Sequence, residues 1–416
     1  MVETVRDLRS IALPAYGPTV LSAVGTGAVA PVIVLSARDL GAGVNLAAFM
    51  VALLGIGQLL GDVPAGALAA RIGERAALIA ACALEALGMA GCALAPGVAV
   101  LAGSIVVLGL SGSVFGLARQ AYLTEAVPIR LRARALSTLG GVARIGLFFG
   151  PFIGAAVVSR WGISAAYVVG LCASASAFLL LLVVPDITAG HRKQQLKEGR
   201  HRSVGSVLVE HRRTLRTIGV GVLFISSTRA CRTAIVPLWA ESIGLDATHT
   251  SLVFGISGAV DMLLFYPGGR IMDRFGRIWV VLPSMVVLGV GMILLPLTGT
   301  FGWITVVAVV LGLGNGIGSG VVMTLGADAS PARDRVQFLS GWRLMSDTGN
   351  AAGPALISVL TTVIPLAGAA VVMGGVALVG AGWLRVWVPR FDPVSRRSLD
   401  GLRHRRPPEP DPGVGP

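Results

Sequence analysis

Charge is scarce in this chain. Only 13% of its 416 residues are Asp, Glu, Lys or Arg, about half the fraction usual in a soluble domain. A hydrated surface around a single compact core is therefore excluded for most of its length. Cysteine is sparse, and Cys82, Cys92, Cys172 and Cys231 all fall inside apolar runs. Their spacing suggests neither a disulfide framework nor a metal site, and no cofactor is expected. Four of the five histidines, His191, His201, His211 and His404, lie in polar stretches, and His249 lies near a loop. With no nucleophile–base–acid set and no phosphate-binding loop, the chain offers no enzyme chemistry. Acids are fewer than bases, leaving a formal net charge of +13. The basic residues sit in short loops between apolar runs, so a nucleic-acid partner is not expected.

What is present is apolar. The chain is 54% hydrophobic with 56 glycines and a mean hydropathy of +0.79. Runs of about 20 apolar residues can cross a hydrocarbon core of about 30 Å as helix. In lipid only helices and closed barrels satisfy their own backbone. The runs lack the period-two alternation of barrel strands, so helices are predicted. Glycine is expected at this density where helix backbones pack closely. We count twelve spans, six in each half, with span 1 near 11–37 and span 10 near 302–326 as single helices. The fold class is an all-α membrane protein of twelve transmembrane helices in two pseudo-symmetric six-helix bundles. The N-terminal bundle occupies 1–188, a basic linker 189–214, the C-terminal bundle 215–391 and a tail 392–416. The linker is expected to carry a short amphipathic helix on the membrane surface. The Pro- and Arg-rich tail is expected to lack fixed structure. The first apolar run is long enough to be a retained span, with no cleavable signal pattern before it.

The halves are copies of each other at a constant offset of 203 positions. Pro64, Gly66, Arg71 and Gly73 recur as Pro267, Gly269, Arg274 and Gly276. Glu125, Pro128, Arg130 and Arg132 recur as Asp328, Pro331, Arg333 and Arg335. Gly146, Gly150 and Pro151 recur as Gly349, Gly353 and Pro354. An even number of spans per half puts both termini on one side. Arg6, Arg9, Arg71, Arg75, Arg130, Arg132, Arg134, Arg270, Arg274, Arg277 and the linker all fall on that side, which we call the basic face. The opposite loops hold only Arg38 and Arg160 as bases, beside Asp39, Glu241 and Asp246. The positive-inside rule puts both termini in the cytoplasm, and the chain in the plasma (inner) membrane.

Gly269-Arg270-Ile271-Met272-Asp273-Arg274-Phe275-Gly276-Arg277, between spans 8 and 9, resembles the G-x-x-x-D-R-x-G-R signature loop of the major facilitator superfamily. Gly66 to Arg75 is the first-half copy, between spans 2 and 3, with Ala70 where the family carries Asp. Gly66 and Gly269 suit close helix packing, and Gly73 and Gly276 suit a tight turn. Arg71 and Arg274 can pair with acids or cap helix ends. In the family such contacts hold the halves together on the cytoplasmic side. Asp62 or Glu74 could take over the role of the missing acid. Gly146 to Gly154 in span 5 is similar to the G-x-x-x-G-P-x-x-G pattern of drug–proton antiporters in that superfamily. Gly150 and Pro151 are its centre, and packing alone also accounts for it. Arg119 in span 4 resembles that subgroup's basic position, although the subgroup's acid in span 1 is absent here.

An ionisable side chain at mid-membrane costs about 2.5–3.5 kcal/mol, so each is a functional candidate. Arg229 and Arg232 share a face of span 7, with Asp261 on the next helix within reach. They read as a basic, substrate-binding cavity wall with an acid that takes up a proton, or as a fixed packing pair. Arg119 and Asn315 are further substrate-binding candidates. Asp261 is the first candidate for proton coupling, with Asp62 and Asp347 as rivals. Arg144 and Asp347 are repeat mates of opposite charge, so a contact across the halves is one reading. Local pairing of Asp347 with Arg343 is the other. Glu85 stands alone in span 3, able to pair with Arg119 or to stay neutral. The resemblance implies a transporter exporting a small organic molecule by proton antiport and alternating access. Protons, membrane lipid and a small-molecule substrate are its expected partners, and a monomer its expected state. Uptake or exchange of an anionic metabolite is the alternative.

Overall fold

The computed structural model describes residues 8–127, 129–184, 204–331, 335–392 and 395, and the described residues contain helices and no strand. The first half holds Leu8–Val29 with Val32–Asp39 (span 1), Val44–Ile72, Glu74–Ala93, Val98–Ala126, Ile129–Trp161 and Ser164–Val183 (spans 2 to 6). The second half holds Arg212–Ser242, Ala247–Phe275, Ile278–Leu297 and Phe301–Ala329 (spans 7 to 10). Arg335–Leu360 and Leu366–Phe391 are spans 11 and 12. Ten of these helices are long and apolar enough to cross a membrane, and the bent pair of span 1 makes eleven. Span 11 completes the twelve and is the least apolar of them, since Arg343 and Asp347 lie along it.

Two spans are broken where a single helix was expected. Span 1 bends by 44° between Val29 and Val32. Pro31 has no amide hydrogen to give the preceding turn. Span 10 breaks between Ile317 and Val321, with Gly320 left-handed at φ +84°. Glycine alone adopts that conformation without strain.

Small residues set the packing inside each half. A Cβ on Gly150 would lie 2.5 Å from the Val24 carbonyl of span 1, and one on Gly146 2.6 Å from the Val20 carbonyl. The repeat mate Gly349 meets the Leu223 carbonyl of span 7 at 2.6 Å in the same way. Between the halves, span 2 lies on span 11 and span 5 on span 8. Gly55 comes so close that a Cβ would sit 2.6 Å from the Ala351 amide. Gly269 is a correction: nothing lies within 4 Å of its Cβ position. Its neighbour Gly268 makes the close approach instead, to Ile317 at 2.5 Å. Gly73 and Gly276 do turn the chain at positive φ, +91° and +99°.

The buried clusters differ at the two faces. Away from the basic loops, one cluster joins both halves through Val32, Ile33 and Met50 with Ile235, Leu238 and Ile357. Toward the basic face every cluster of the described residues stays within a single half. Among the described residues the halves are therefore closed at one face and parted at the other.

Two expectations about the linker and tail need correction. The helix Val204–Glu210 does not lie free on a membrane surface. Val207 is buried in the second-half cluster with Phe338 and Trp342, and the helix packs on span 11. The start of the tail is fixed: Asp392 and Ser395 are buried. Asp392 accepts the Arg277 amide at 2.9 Å, and Ser395 Oγ accepts the Ile278 amide at 3.0 Å. These otherwise orphaned amides open span 9. The first half braces the equivalent junction with opposite polarity. There Arg75, at the start of span 3, donates to the carbonyls of Leu181 at 2.7 Å and Val184 at 2.5 Å, which end span 6.

Candidate functional site

A cavity of about 240 Å³ opens among spans 1 to 5, with Thr233 of span 7 on its wall. Apolar side chains such as Met89, Leu108 and Phe115 make up most of that wall. Two ionisable residues line it, Glu85 and Arg119. Glu85 is buried and receives the Ser22 hydroxyl, which lies 3.2 Å from both carboxylate oxygens. Arg119 stands over the Phe115 ring with its carbon 5.7 Å from the centroid. Its Nε is buried and has no hydrogen-bond partner among the described residues. Glu85 and Arg119, which the sequence offered as a pair, do not bond to each other.

Among the described residues three ion pairs cross between the halves. At the closed face Arg38 Nε meets Glu241 at 2.9 Å. At mid-depth Arg144 of span 5 meets Asp261 of span 8 at 2.7 Å and lies 4.4 Å above the Phe265 ring. On the other side of the interface Arg343 of span 11 meets Asp62 of span 2 at 3.1 Å. Arg144 therefore does not pair with its repeat mate. Asp347 is taken by Arg343 one turn away, at 3.4 Å. The sequence left two readings of Asp347 open, and the local one describes this structure, joined by the cross-half contact of Asp62. Span 2 thus supplies an acid to the interface at Asp62, two turns before Ala70.

These charges form two groups of opposite sign. Asp62 receives the Ser113 hydroxyl at 2.5 Å, and Asp347 receives the Asn350 amide at 3.1 Å. The two carboxylates also act directly on each other. Each keeps one buried oxygen without a hydrogen bond. One guanidinium between two carboxylates leaves one negative charge in excess. The other group is positive. Asp261 is the carboxylate acting on Arg229 and Arg232 as well as the partner of Arg144. Asn315 Nδ2 donates to the second oxygen of Asp261.

Arg229 and Arg232 do not line the large cavity, which corrects the basic-wall reading. Arg229 donates to the Asn315 carbonyl at 3.3 Å, where span 10 breaks and its last carbonyls lose their helical partners. A cation suits that end of a helix. Gly318 makes room for it, since a Cβ there would lie 2.8 Å from Arg229 Nη2. Arg232 donates to Ser257 Oγ at 3.2 Å, beside a small void of about 10 Å³ within the second half. Asn315 likewise serves Asp261 and span 10 rather than the cavity.

The signature loop makes its firm contact within its own half. Arg277 grips Asp328 of span 10 with two donors, at 2.8 and 3.2 Å. Asp273 and Arg274 are exposed, and Arg274 rests over the Phe275 ring. Arg71 is exposed as well. Among the described residues these contacts of the second-half loop stay within its own half. Gly66 lies inside the helix of span 2.

Sequence reasoning missed the Arg38–Glu241 pair, although the two positions are 203 apart and the repeat offset alone would have found it. It also missed Ser113 and Ser257, since a serine in a membrane helix carries no signal of its own.

Residues 19–230 and 218–410 each match the family model described as Major Facilitator Superfamily. The chain is 26% identical over 317 residues to the multidrug resistance protein MdtH of Cronobacter sakazakii, covering 74% of this chain and 76% of that one. It is 28% identical over 148 residues to the multidrug resistance protein Stp of Mycobacterium tuberculosis, a match that spans 28% of Stp and 35% of this chain. Among solved structures, a D-xylose-proton symporter superimposes with a TM-score of 0.72 at 16% identity, covering 92% of this chain and 98% of that one.

Proposed function

The chain belongs to the Major Facilitator Superfamily and is a secondary transporter, and we propose that it exports a small organic molecule in exchange for protons. The basic face is then the cytoplasmic face of the plasma membrane. The observation that carries this reading is a cavity between membrane helices flanked by ion pairs that cross the halves. Alternating access needs such pairs to break and reform as one bundle rocks against the other. The multidrug relatives favour export.

The charge groups suggest which acids carry the proton. A proton on Asp261 would leave Arg144, Arg229 and Arg232 without their shared counter-charge. A proton on the Asp62–Asp347 couple would remove a repulsion between facing carboxylates and leave Arg343 one ionised partner. We therefore assign proton carriage to Asp62 and Asp347. Asp261 with Arg144 then acts as a closure between spans 5 and 8. In the cycle, a proton loaded from outside onto Asp62 leaves Arg343 paired with Asp347 of its own helix and so weakens the span 2–span 11 contact, and reforming the Arg343–Asp62 pair releases the proton to the cytoplasm.

The test is flux in proteoliposomes across a panel of labelled organic compounds, with an imposed proton gradient and with an uncoupler. Extrusion that the uncoupler abolishes, and that Asp347→Asn converts to gradient-independent exchange, is expected. Accumulation in the direction of the proton flow would overturn export. A second reading, uptake or exchange of an anionic metabolite, is favoured by one observation, Arg119 in the cavity with no ion pair among the described residues. Loss of flux in Arg119→Gln confined to anionic compounds would support it.

A further inference from the structure

The large cavity holds one acidic and one basic side chain, and neither has an ion-pair partner among the described residues. Arg119 has no hydrogen bond and no ion pair among the described residues, only the face of Phe115. The charged group acting on it is another cation, Arg343. Glu85 is held by hydroxyl donors alone, with Ser22 the nearest. A buried guanidinium without an anion is costly, and so is a buried carboxylate without a cation. The usual remedy is for the two to pair. Here both line the same space and do not meet. The arrangement is that of two half-pairs held apart.

Their depths differ. Counting 1.5 Å per residue from the basic ends of their helices, Arg119 lies about 10 Å in and Glu85 about 16 Å in. Between and around them the wall is apolar, with Met89, Leu108 and Phe115. A ligand complementary to this space has an apolar body, a cationic end directed inward to Glu85, and an anionic end nearer the open face at Arg119.

We propose that the cavity recognises a zwitterion: a largely apolar molecule with an amine for Glu85 and a carboxylate or similar anion for Arg119. This deepens the transport reading by naming the substrate class, and it rests on that reading only for the claim that the bound molecule is carried. It also reconciles the drug-like and the anionic alternatives, because one molecule carries both features. Occupation would satisfy Arg119 and Glu85 together, and a molecule with a single charge would leave the other group bare.

Equilibrium binding to the full chain in lipid nanodiscs tests this without any flux. The probes are 8-aminooctanoate, octylamine and octanoate, which share an eight-carbon body and differ only in charge. Binding of 8-aminooctanoate at least about tenfold tighter than either single-charge probe is expected. Glu85→Gln should bring it down to the level of octanoate while leaving octanoate itself unchanged. Arg119→Gln should bring it down to the level of octylamine while leaving octylamine unchanged. Equal affinity for the three probes in the unmutated protein, or no binding of any, would overturn the proposal, even if both variants fail to fold. Loss of octanoate in Glu85→Gln would overturn it too. Selective zwitterion binding with no proton-driven movement would instead sink the transport direction and leave the recognition site standing.

Discussion

Arg38 and Glu241 occupy equivalent positions in the two repeats, and they touch each other at 2.9 Å. Opposite charges at mated positions attract across the pseudo-two-fold axis, where identical residues would repel. The ends of spans 1 and 7 away from the basic loops lie beside that axis, so the pair closes that face. Arg38 also donates to the Ala42 carbonyl at 2.7 Å, which holds its guanidinium in place. Both side chains are about one-third exposed, so the pair contributes on the order of 1 kcal/mol at most.

Reversing one charge should weaken that closure. Arg38→Glu is expected to shift the equilibrium about fivefold toward a state open at that face, the equivalent of roughly 1 kcal/mol. Adding Glu241→Arg should restore it, since the swapped pair keeps the same geometry. Distances between spin labels at the ends of spans 1 and 7 away from the basic loops would report the shift. Equal distributions in all three proteins would refute the closure.

The pair Arg144–Asp261 should behave differently. Asp261→Asn leaves three arginines facing a neutral amide, and breaking such a buried pair costs about 3–5 kcal/mol. The side chains retain some exposure, 22% and 15%, which places the expected loss at the lower end. The double swap Arg144→Asp with Asp261→Arg should not rescue it, because Arg229 and Arg232 would then face a further cation. Thermal unfolding of the purified variants decides this, and rescue by the swap would show that Asp261 serves Arg144 alone.

Two glycines of the motifs should respond oppositely to alanine. Gly150→Ala presses a methyl group against the backbone of span 1 and should destabilise by about 1–3 kcal/mol. Gly269→Ala meets open space and should be neutral or stabilising by about 0.5–1 kcal/mol through the lower flexibility of the unfolded chain. Unfolding midpoints of both variants would settle it. A loss at Gly269 as large as at Gly150 would mean that this helix face is packed in another state of the cycle.

Span 8 begins with a cap that should titrate. Burial pushes the Asp246 carboxyl up, but bonds from the His249 amide and imidazole, both at 2.8 Å, outweigh it and hold the group below its usual range. A group depressed on folding stabilises above its unfolded value and loses that contribution as pH falls through its folded one. The cap should therefore be intact at neutral pH and fail only below about pH 3.9. Asp246→Ala should cost about 1 kcal/mol at neutral pH. Hydrogen exchange at the first turn, residues 247–250, would read it. Protection unchanged in the alanine variant would count against the cap.

The repeat made the halves legible, because a single offset linked helices, loops and glycines. The signature loop and the Gly150–Pro151 run were legible for the same reason. Side-chain partners were not. Arg144 and Asp347 are repeat mates just as Arg38 and Glu241 are, but only the second pair lies beside the axis, and depth relative to an axis is not written in spacing. Arg229 and Arg232 read as a cavity wall because a charged helix face suggests water. The break in span 10 offered Arg229 bare carbonyls instead, and nothing short of Gly318 and Gly320 announced that break. The bend in span 1 was not read from the sequence either: Pro31 stands at it, but Pro14 and Pro18 sit inside unbroken helix of the same span, so a proline alone did not say where the helix would break.

The brace at the start of span 9 also has a consequence in time. Its amides belong to Arg277 and Ile278, and the side chains that satisfy them come 115 and 117 residues later. During synthesis that helix end must therefore enter the bilayer uncapped and wait for three further helices to follow. The second bundle receives its fastening from residues made after its last span, whereas Arg75 can fasten the first bundle as soon as span 6 has emerged.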